Sequence, residues 1–125
     1  MTIVLNHTIV PAKDKHASAR FFADVFGLSY KTADDHGHFA PVHVNNTLTL
    51  LFDDAEVVRS QHYAFHVSDQ EFDAIFERVK RAGLVYGSAP WSITDGKLNH
   101  WNGGRGVYFD DPDRHLFELM TAVPS

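Results

Sequence analysis

Asn6-His7-Thr8-Ile9-Val10 returns later in the chain as Gln61-His62-Tyr63-Ala64-Phe65. In both copies an Asp follows the His at the same spacing, and a Gly-Leu-x-Tyr sequence closes the unit. A repeated unit of this length is typical of half-domains that bury a core together. The repeat therefore predicts a single domain, residues 1–125, made of two modules at roughly 1–57 and 58–125.

Each module is predicted to have the element order βαβββ, which gives an α+β fold. Residues 2–10 alternate as a strand does, and helical periodicity runs from about Lys15 to Phe26 before Gly27. In the second module, Ser68-Asp69-Gln70-Glu71 has the spacing of a capping box at the start of a helix. Further strands are expected near 28–32, 39–44, 47–52, 62–67, 84–89, 107–110 and 115–121, with a long loop or irregular hairpin at 90–106.

Composition excludes several classes of protein. The chain has 125 residues and no cysteine, so disulfides, thiolate metal sites and a Cys nucleophile are excluded. The formal net charge of -5 and the lack of a basic cluster argue against a nucleic-acid partner. No apolar run approaches the ~20 residues of a membrane span, and the N-terminus lacks a signal pattern, so a cytoplasmic protein without a membrane partner is expected.

Two histidines and one carboxylate form the predicted metal site. Glu118 lies in an apolar strand, where an ionised carboxylate is costly unless a cation faces it. The repeat makes His7 equivalent to His62, and it makes Thr49 equivalent to Glu118. Pseudo-symmetric packing of the modules would bring His7, His62 and Glu118 toward one centre, a set that suits a divalent metal with open positions.

Other polar and aromatic residues have two interpretations each. His66 follows His62 on one face of a strand, ~13 Å away at ~3.3 Å per residue, which is too far for both to bind one metal ion. His66 is therefore either a catalytic or substrate-contacting residue or a hydrogen-bonded structural histidine. His100, Trp101 and Arg105 lie beside flexible glycines and either cover a substrate pocket or decorate a hairpin. A second local cluster consists of His36, His38 and His43. A solvated loop is favoured for this cluster because His36 and His38 flank a Gly in a polar turn, although His43 falls within the strand expected near 39–44.

The chain resembles the vicinal oxygen chelate superfamily, which includes glyoxalases, extradiol dioxygenases, fosfomycin-resistance thiol transferases and bleomycin-binding proteins. The resemblance covers the whole sequence. The stretches that carry it are Leu5-Asn6-His7-Thr8, Phe21-Phe22-Ala23-Asp24-Val25-Phe26-Gly27-Leu28, His62-Tyr63-Ala64-Phe65 and Phe109-Asp110-Asp111-Pro112-Asp113-Arg114-His115-Leu116-Phe117-Glu118-Leu119.

The resemblance implies paired βαβββ modules that form an incomplete mixed-sheet barrel, and a homodimer that often builds its site across subunits. The metal-ligand positions of the family correspond to His7, His62 and Glu118. Two positions depart from the family pattern. Thr49 stands where glyoxalases usually place a second Glu, which weakens a glyoxalase assignment, and Arg114 replaces the usual Gly of the Asp-Pro-Asp-Gly turn.

We therefore predict a divalent-metal-dependent enzyme of this superfamily, dioxygenase- or glyoxalase-like, that chelates a small-molecule substrate through two oxygens. Thr49, His100, Trp101 and Arg105 are the predicted substrate-binding residues. Fe(II) or Mn(II) is favoured as the cofactor, with Ni(II) or Zn(II) as alternatives. Two other functions stay open: a fosfomycin-type thiol transferase, and a metal-free drug-binding protein of the bleomycin-resistance type.

Overall fold

The computed structural model describes residues 2–31 and 37–124, whose contacts divide the chain into unit 1, Met1–Arg59, and unit 2, Ser60–Ser125. The repeat places this division between residues 57 and 58. The elements of unit 1 are β1 (His7–Ala12), α1 (Lys15–Phe26), β2 (Ala40–His43) and β3 (Thr49–Asp54). The elements of unit 2 are β4 (His62–His66), α2 (Asp69–Arg81), β5 (Tyr86–Gly87), a 3-10 turn (Trp101–Gly103), β6 (Gly106–Asp110) and β7 (Leu116–Met120).

Both helices begin at side-chain caps, of which the cap of α2 was predicted from the sequence. The carboxylate of Asp14 accepts hydrogen bonds from the backbone N–H groups of His16 and Ala17 at the start of α1. Gly27 ends that helix with a left-handed φ of 73°. The predicted capping box of α2 is confirmed, because Ser68 and Glu71 each accept a hydrogen bond from the other's backbone N–H.

Unit 1 is a three-stranded sheet of order β1-β3-β2 covered on one face by α1. β1 and β3 are parallel, and β2 and β3 are antiparallel. Phe22 of α1 and Phe52 of β3 are both fully buried, with ring centroids 6.0 Å apart. The remaining core residues of the sheet are Val10, Ala12, Ala40, Val42 and Leu50. Because neighbouring side chains alternate, His7, Thr49 and His43 lie on the other face.

Unit 2 is a four-stranded sheet of order β4-β7-β6-β5, in which β4 and β7 are parallel and the other pairs antiparallel. One face of the sheet carries the buried side chains Val107, Phe109, Phe117 and Leu119. Alternation places His62, Tyr108 and Glu118 on the opposite face. The α+β class is confirmed, and unit 2 has the predicted βαβββ order.

Three predicted strands differ from the structure. Residues 2–6 are not in a strand, because β3 begins at Thr49 and offers no partner before His7. Residues 28–31 form no strand, since the N–H of Leu28 bonds the carbonyl of Ala23 and closes α1; Thr32 lies outside the described residues. The strand expected at 84–89 is only Tyr86–Gly87. The described part of unit 1 is therefore βαββ.

The turn between β6 and β7 has Arg114 at the position where the family pattern has Gly. Arg114 has a φ of 65°, the left-handed conformation that Gly adopts at little cost and other residues at about 1–2 kcal/mol. Asp111 supports it, because its Oδ1 accepts hydrogen bonds from the backbone N–H groups of Asp113 and His115. Arg114 therefore adopts the positive φ for which the family's usual Gly is suited.

Candidate functional site

His62 and Glu118 meet on the open face of the unit 2 sheet. β7 is an interior strand that lies between β4 and β6, so Glu118 is not on an edge of the sheet. His62 Nε2 lies 2.9 Å from Glu118 Oε1, with the Glu118 side chain only 12% exposed and that of His62 46% exposed. Glu118 therefore has the cationic or donor partner that its apolar surroundings require.

Tyr108 is a site residue that the sequence analysis missed. It lies directly opposite Glu118 in the β6–β7 pair, and its side chain hydrogen-bonds Glu118. Burial raises the pKa of the Tyr108 phenol, and the hydrogen bond to the Glu118 carboxylate raises this pKa further. The phenol therefore stays protonated and donates to the carboxylate. The sequence could have predicted this contact. In a hairpin closed by the turn at 111–115, residue 108 of the first strand lies opposite residue 118 of the second.

A pocket of about 340 Å³ adjoins Glu118 in unit 2. Trp101, on the 3-10 turn, lines it and packs edge-on against Tyr108 with ring centroids 6.1 Å apart. The other residues that line it are Ala64, Asn99, Asn102, Arg105, Met120, Ala122 and Pro124. The structure therefore brings three predicted site residues, Glu118, Trp101 and Arg105, to one pocket.

Arg105 is already engaged by α2. Its guanidinium lies 2.7 Å from Asp73 Oδ1 and 2.9 Å from Asp69 Oδ1, and it stacks over the Phe72 ring at 4.4 Å. Hydrogen bonds to these two carboxylates raise the pKa of Arg105, with that to Asp73 the larger cause. The charge of Arg105 is therefore balanced before any ligand binds. Its side chain also holds the loop between β5 and β6, residues 88–105, against α2.

His66 and His100 are not among the residues that line this pocket. His66 lies on the same strand as His62, as predicted, and its Nε2 is 3.3 Å from the Thr121 carbonyl oxygen. His100 is exposed and directly precedes the 3-10 turn. The structure gives neither residue a contact with Glu118, and their proposed roles stay predictions.

The open face of unit 1 holds His7 and Thr49 beside a second pocket of about 400 Å³. His7 Nδ1 donates to Asn6 Oδ1 at 2.8 Å, which leaves Nε2 as the nitrogen with a free lone pair. His43 was grouped with His36 and His38, for which a solvated loop was favoured, but it also falls within the strand predicted near 39–44, and the structure confirms the strand. His43 lies on β2, where pairing with β3 sets its Nδ1 2.9 Å from Thr49 Oγ1. His38 lies outside the strands, and His36 lies outside the described residues.

A model of the Glyoxalase/Bleomycin resistance protein/Dioxygenase superfamily matches residues 4–119. The chain belongs to this superfamily. The match spans both units and confirms the predicted family. The family groups proteins of different activities on one fold, so it does not by itself give the reaction.

Three members of the superfamily show the range of its similarity to this chain. The oxidase ChaP-H2 is 46% identical to this chain in sequence, and its structure matches with a TM-score of 0.90. The match covers 99% of this chain and 96% of that one. The fosfomycin resistance protein FosX of Mesorhizobium japonicum is 40% identical over 95% of this chain and 86% of its own length. The metallothiol transferase FosB of Lysinibacillus sphaericus is 27% identical over 95% of this chain and 82% of its own length.

The donor atoms suit a divalent metal of the kind that this superfamily implies. His62 Nε2 and Glu118 Oε1 converge within 2.9 Å, and Tyr108 orients the carboxylate as an outer hydrogen-bond partner does in metal sites. Among the described residues of either unit, no three His, Asp or Glu side chains are grouped to hold a metal. No described helix is long and apolar enough to cross a membrane.

Proposed function

We propose that the chain is a divalent-metal-dependent enzyme, oxidase- or dioxygenase-like, that binds a small substrate through two adjacent oxygens. The observation that carries the proposal is the 2.9 Å approach of His62 Nε2 to Glu118 Oε1 beside a pocket. The oxidase ChaP-H2, 46% identical, supports the oxidative reaction class. The superfamily resemblance supports a homodimer, and a cytoplasmic location belongs to the same proposal.

The proposed ligands are His62, Glu118 and His7, with Fe(II) or Mn(II) favoured and Ni(II) or Zn(II) as alternatives. Two imidazoles and a carboxylate leave up to three positions of an octahedral ion for substrate and a co-reactant. The Nδ1–H of His7 is already bonded to Asn6, a contact that would orient its Nε2 toward a metal.

The bound metal would supply Lewis-acid polarisation and hold two oxygens of the substrate in register. The chain's own residues do the rest. Tyr108 keeps its proton and fixes the Glu118 carboxylate by donating to it. Trp101 offers its ring at the pocket wall to an apolar part of the substrate, where a buried aromatic contact contributes about 0.5–1.5 kcal/mol beyond area burial.

Thiol transfer to an antibiotic is the second candidate function. The metallothiol transferase FosB, 27% identical, favours the transfer of a thiol, and the fosfomycin resistance protein FosX, 40% identical, favours fosfomycin as the acceptor. This function would require the same metal site. Oxygen uptake with a substrate panel, set beside consumption of fosfomycin with and without thiols, separates the two reactions. A metal-free drug-binding protein is the third outcome, and metal analysis tests it directly.

The decisive experiment measures the metal content of anaerobically purified protein by mass spectrometry, before and after incubation with Fe(II), Mn(II), Ni(II) and Zn(II). We expect about one equivalent per chain in the wild type and a loss of most of it in His62→Ala and Glu118→Gln, because each removes a donor. Circular dichroism checks that both variants fold.

Two matched variants serve as controls. Glu77→Gln makes the same chemical change in a half-exposed carboxylate that pairs with Lys80 and Arg81 on the surface of α2. His38→Ala removes an imidazole whose side chain is 73% exposed. Both should keep the metal. A folded wild type that takes up none of the four ions would refute the proposal and leave the binding-protein function.

A further inference from the structure

Three polar side chains form a row across the unit 1 sheet. Thr49 of β3 pairs with His7 of β1 on one side and with His43 of β2 on the other. Side chains in register on neighbouring strands are about 5 Å apart and share one face. Thr49 is thus flanked by two imidazoles, and only His7 belongs to the proposed ligand set.

The next row of the same face is apolar. Leu51 pairs with Ile9 and with Pro41, two residues along each strand from the polar row. Leu51, Pro41 and Phe39 line the 400 Å³ pocket together with the polar row and Asn6. The pocket therefore has a hydrogen-bonding edge and an apolar floor, and its size falls within the ~300–1,000 Å³ of small-molecule sites.

The charged side chains that line the two pockets limit the charge that a ligand can carry at low cost. None of the described residues that line the unit 1 pocket is Lys or Arg. The guanidinium that lines the unit 2 pocket, Arg105, is balanced by Asp69 and Asp73. Among the described side chains of these pockets, a dianionic group such as a phosphonate would thus find no free cationic partner, and the proposed metal ion would have to offset its lost hydration alone. An uncharged ligand does not have this cost.

The contact between His43 and Thr49 fixes an imidazole at the polar edge. With Nδ1 bonded to the Thr49 hydroxyl at 2.9 Å, Nε2 is the ring nitrogen left to bond a ligand. Nε2 is a donor if Thr49 donates to Nδ1 and an acceptor if Nδ1 donates to Thr49. A ligand hydroxyl can pair with either tautomer, because it both donates and accepts.

We infer that the unit 1 pocket binds an uncharged ring compound by its apolar face, and that His43, held by Thr49, selects a hydroxyl group on the edge of that ring. The inference rests on the proposed function, since the ring compound would be the substrate of the metal centre. His43 is a specificity residue in this scheme, and it is not a metal ligand.

Calorimetric titration with 2-naphthol tests the inference, with 2-methoxynaphthalene as the probe that lacks the hydroxyl proton and fosfomycin as the anionic probe. The protein is used as purified, and the metal content of each sample is measured. We expect 2-naphthol to bind the wild type more tightly than either other probe. His43→Phe, which keeps a ring and loses both nitrogens, should raise the Kd for 2-naphthol about five- to tenfold, the value of one hydrogen bond.

His43→Gln should restore part of the affinity, and His38→Phe, outside the pocket, should leave it unchanged. Metal content should be the same in all three variants, which separates this result from a failure of the metal site. An unchanged Kd in a folded His43→Phe protein, or tighter binding of fosfomycin than of 2-naphthol, would overturn the inference. His43-dependent binding by a wild type that holds no metal would support the pocket and refute the metal-dependent function.

Discussion

Glu118 receives hydrogen bonds from two side chains in a nearly buried setting. His62 approaches it at 2.9 Å, and Tyr108 donates its phenolic proton. A buried carboxylate left unpaired would cost several kcal/mol, so these two partners make its ionised form tolerable without a metal. Of the two, Tyr108 can keep its hydrogen bond and orient the carboxylate when a metal is bound, because His62 would then use Nε2 as a ligand.

Tyr108→Phe should weaken metal binding without abolishing it. The variant keeps the ring that packs against Trp101 and His62 and removes only the hydroxyl that fixes Glu118. Loss of an outer hydrogen-bond partner of a ligand typically costs about 10–100-fold in metal affinity. Competition against a chelator of known affinity measures the change.

Tyr86→Phe is the matched control for that experiment. Tyr86 lies on β5, and its ring packs edge-on against Phe76 of α2 at 5.0 Å. It is not among the residues that line the pocket beside Glu118. Its substitution should leave metal affinity unchanged. Equal affinities for wild type and Tyr108→Phe would mean that the Tyr108 hydroxyl does not support the metal ligand.

In unit 2, the loop between β5 and β6 contacts α2 through the side chain of Arg105. Arg105 reaches two carboxylates of α2, Asp69 and Asp73, and its backbone N–H bonds Thr121 Oγ1. Asn99 closes the loop from within by exchanging backbone hydrogen bonds with Gly106. Trp101 lies between these two attachments, so their strength sets how firmly the pocket wall is held.

Arg105→Gln should lower the free energy of unfolding by only about 1 kcal/mol, because exposed ion pairs contribute about 0–1 kcal/mol each and the contact with Phe72 about 0.5–1 kcal/mol. Its larger effect should be local. Amide hydrogen exchange at residues 98–104 should speed up, while exchange in β6 and β7 stays slow. Urea unfolding and exchange mass spectrometry measure the two effects.

Arg81→Gln provides the comparison, since Arg81 pairs only with Glu77 of its own helix. It should leave the loop's exchange rates at the wild-type level. If Arg105→Gln also left them unchanged, the Arg105 guanidinium would not be what holds the loop. The backbone bonds of residue 105 to Thr121 and of Asn99 to Gly106 would then be sufficient.

The elements best predicted from sequence are those whose signals are local. Both helices were predicted because their caps and apolar faces lie within a few residues, as at Ser68 and Glu71. The strand expected at residues 2–10 was too long, since its extent depends on where a distant partner, β3, begins. The strand predicted near 39–44 contains His43, but its contact with Thr49 was not predicted, because that contact depends on the register between β2 and β3.

The candidate site shows the same division between local and distant signals. His62 and Glu118 were predicted from the repeat and from the cost of a carboxylate among apolar residues, and the structure sets them 2.9 Å apart. Arg105 was predicted to bind substrate, and sequence spacing gave no sign that Asp69 and Asp73 engage it. A charged pair between a loop and a helix far apart in the chain leaves no periodic pattern.

At the scale of the whole molecule, the proposed ligands come from both halves of the repeat: His7 lies in unit 1, and His62 and Glu118 lie in unit 2. The superfamily resemblance predicts a homodimer whose sites combine residues of two chains. A mixed dimer of two singly substituted chains distinguishes a site shared between chains from a site within one chain. In such a dimer, one chain lacks one ligand and its partner lacks the other.

Mixing His7→Ala with His62→Ala should restore metal binding that neither variant has alone. In a dimer with shared sites, a mixed pair carries both lesions in one site and leaves the other intact, so random pairing restores about a quarter of the sites. The proteins are unfolded together, refolded and analysed for metal, with each variant refolded alone as the control. A mixed dimer, verified by mass spectrometry, that binds no metal would instead assign His7 and His62 of the same chain to one site, since every chain would then carry a lesion in its own site.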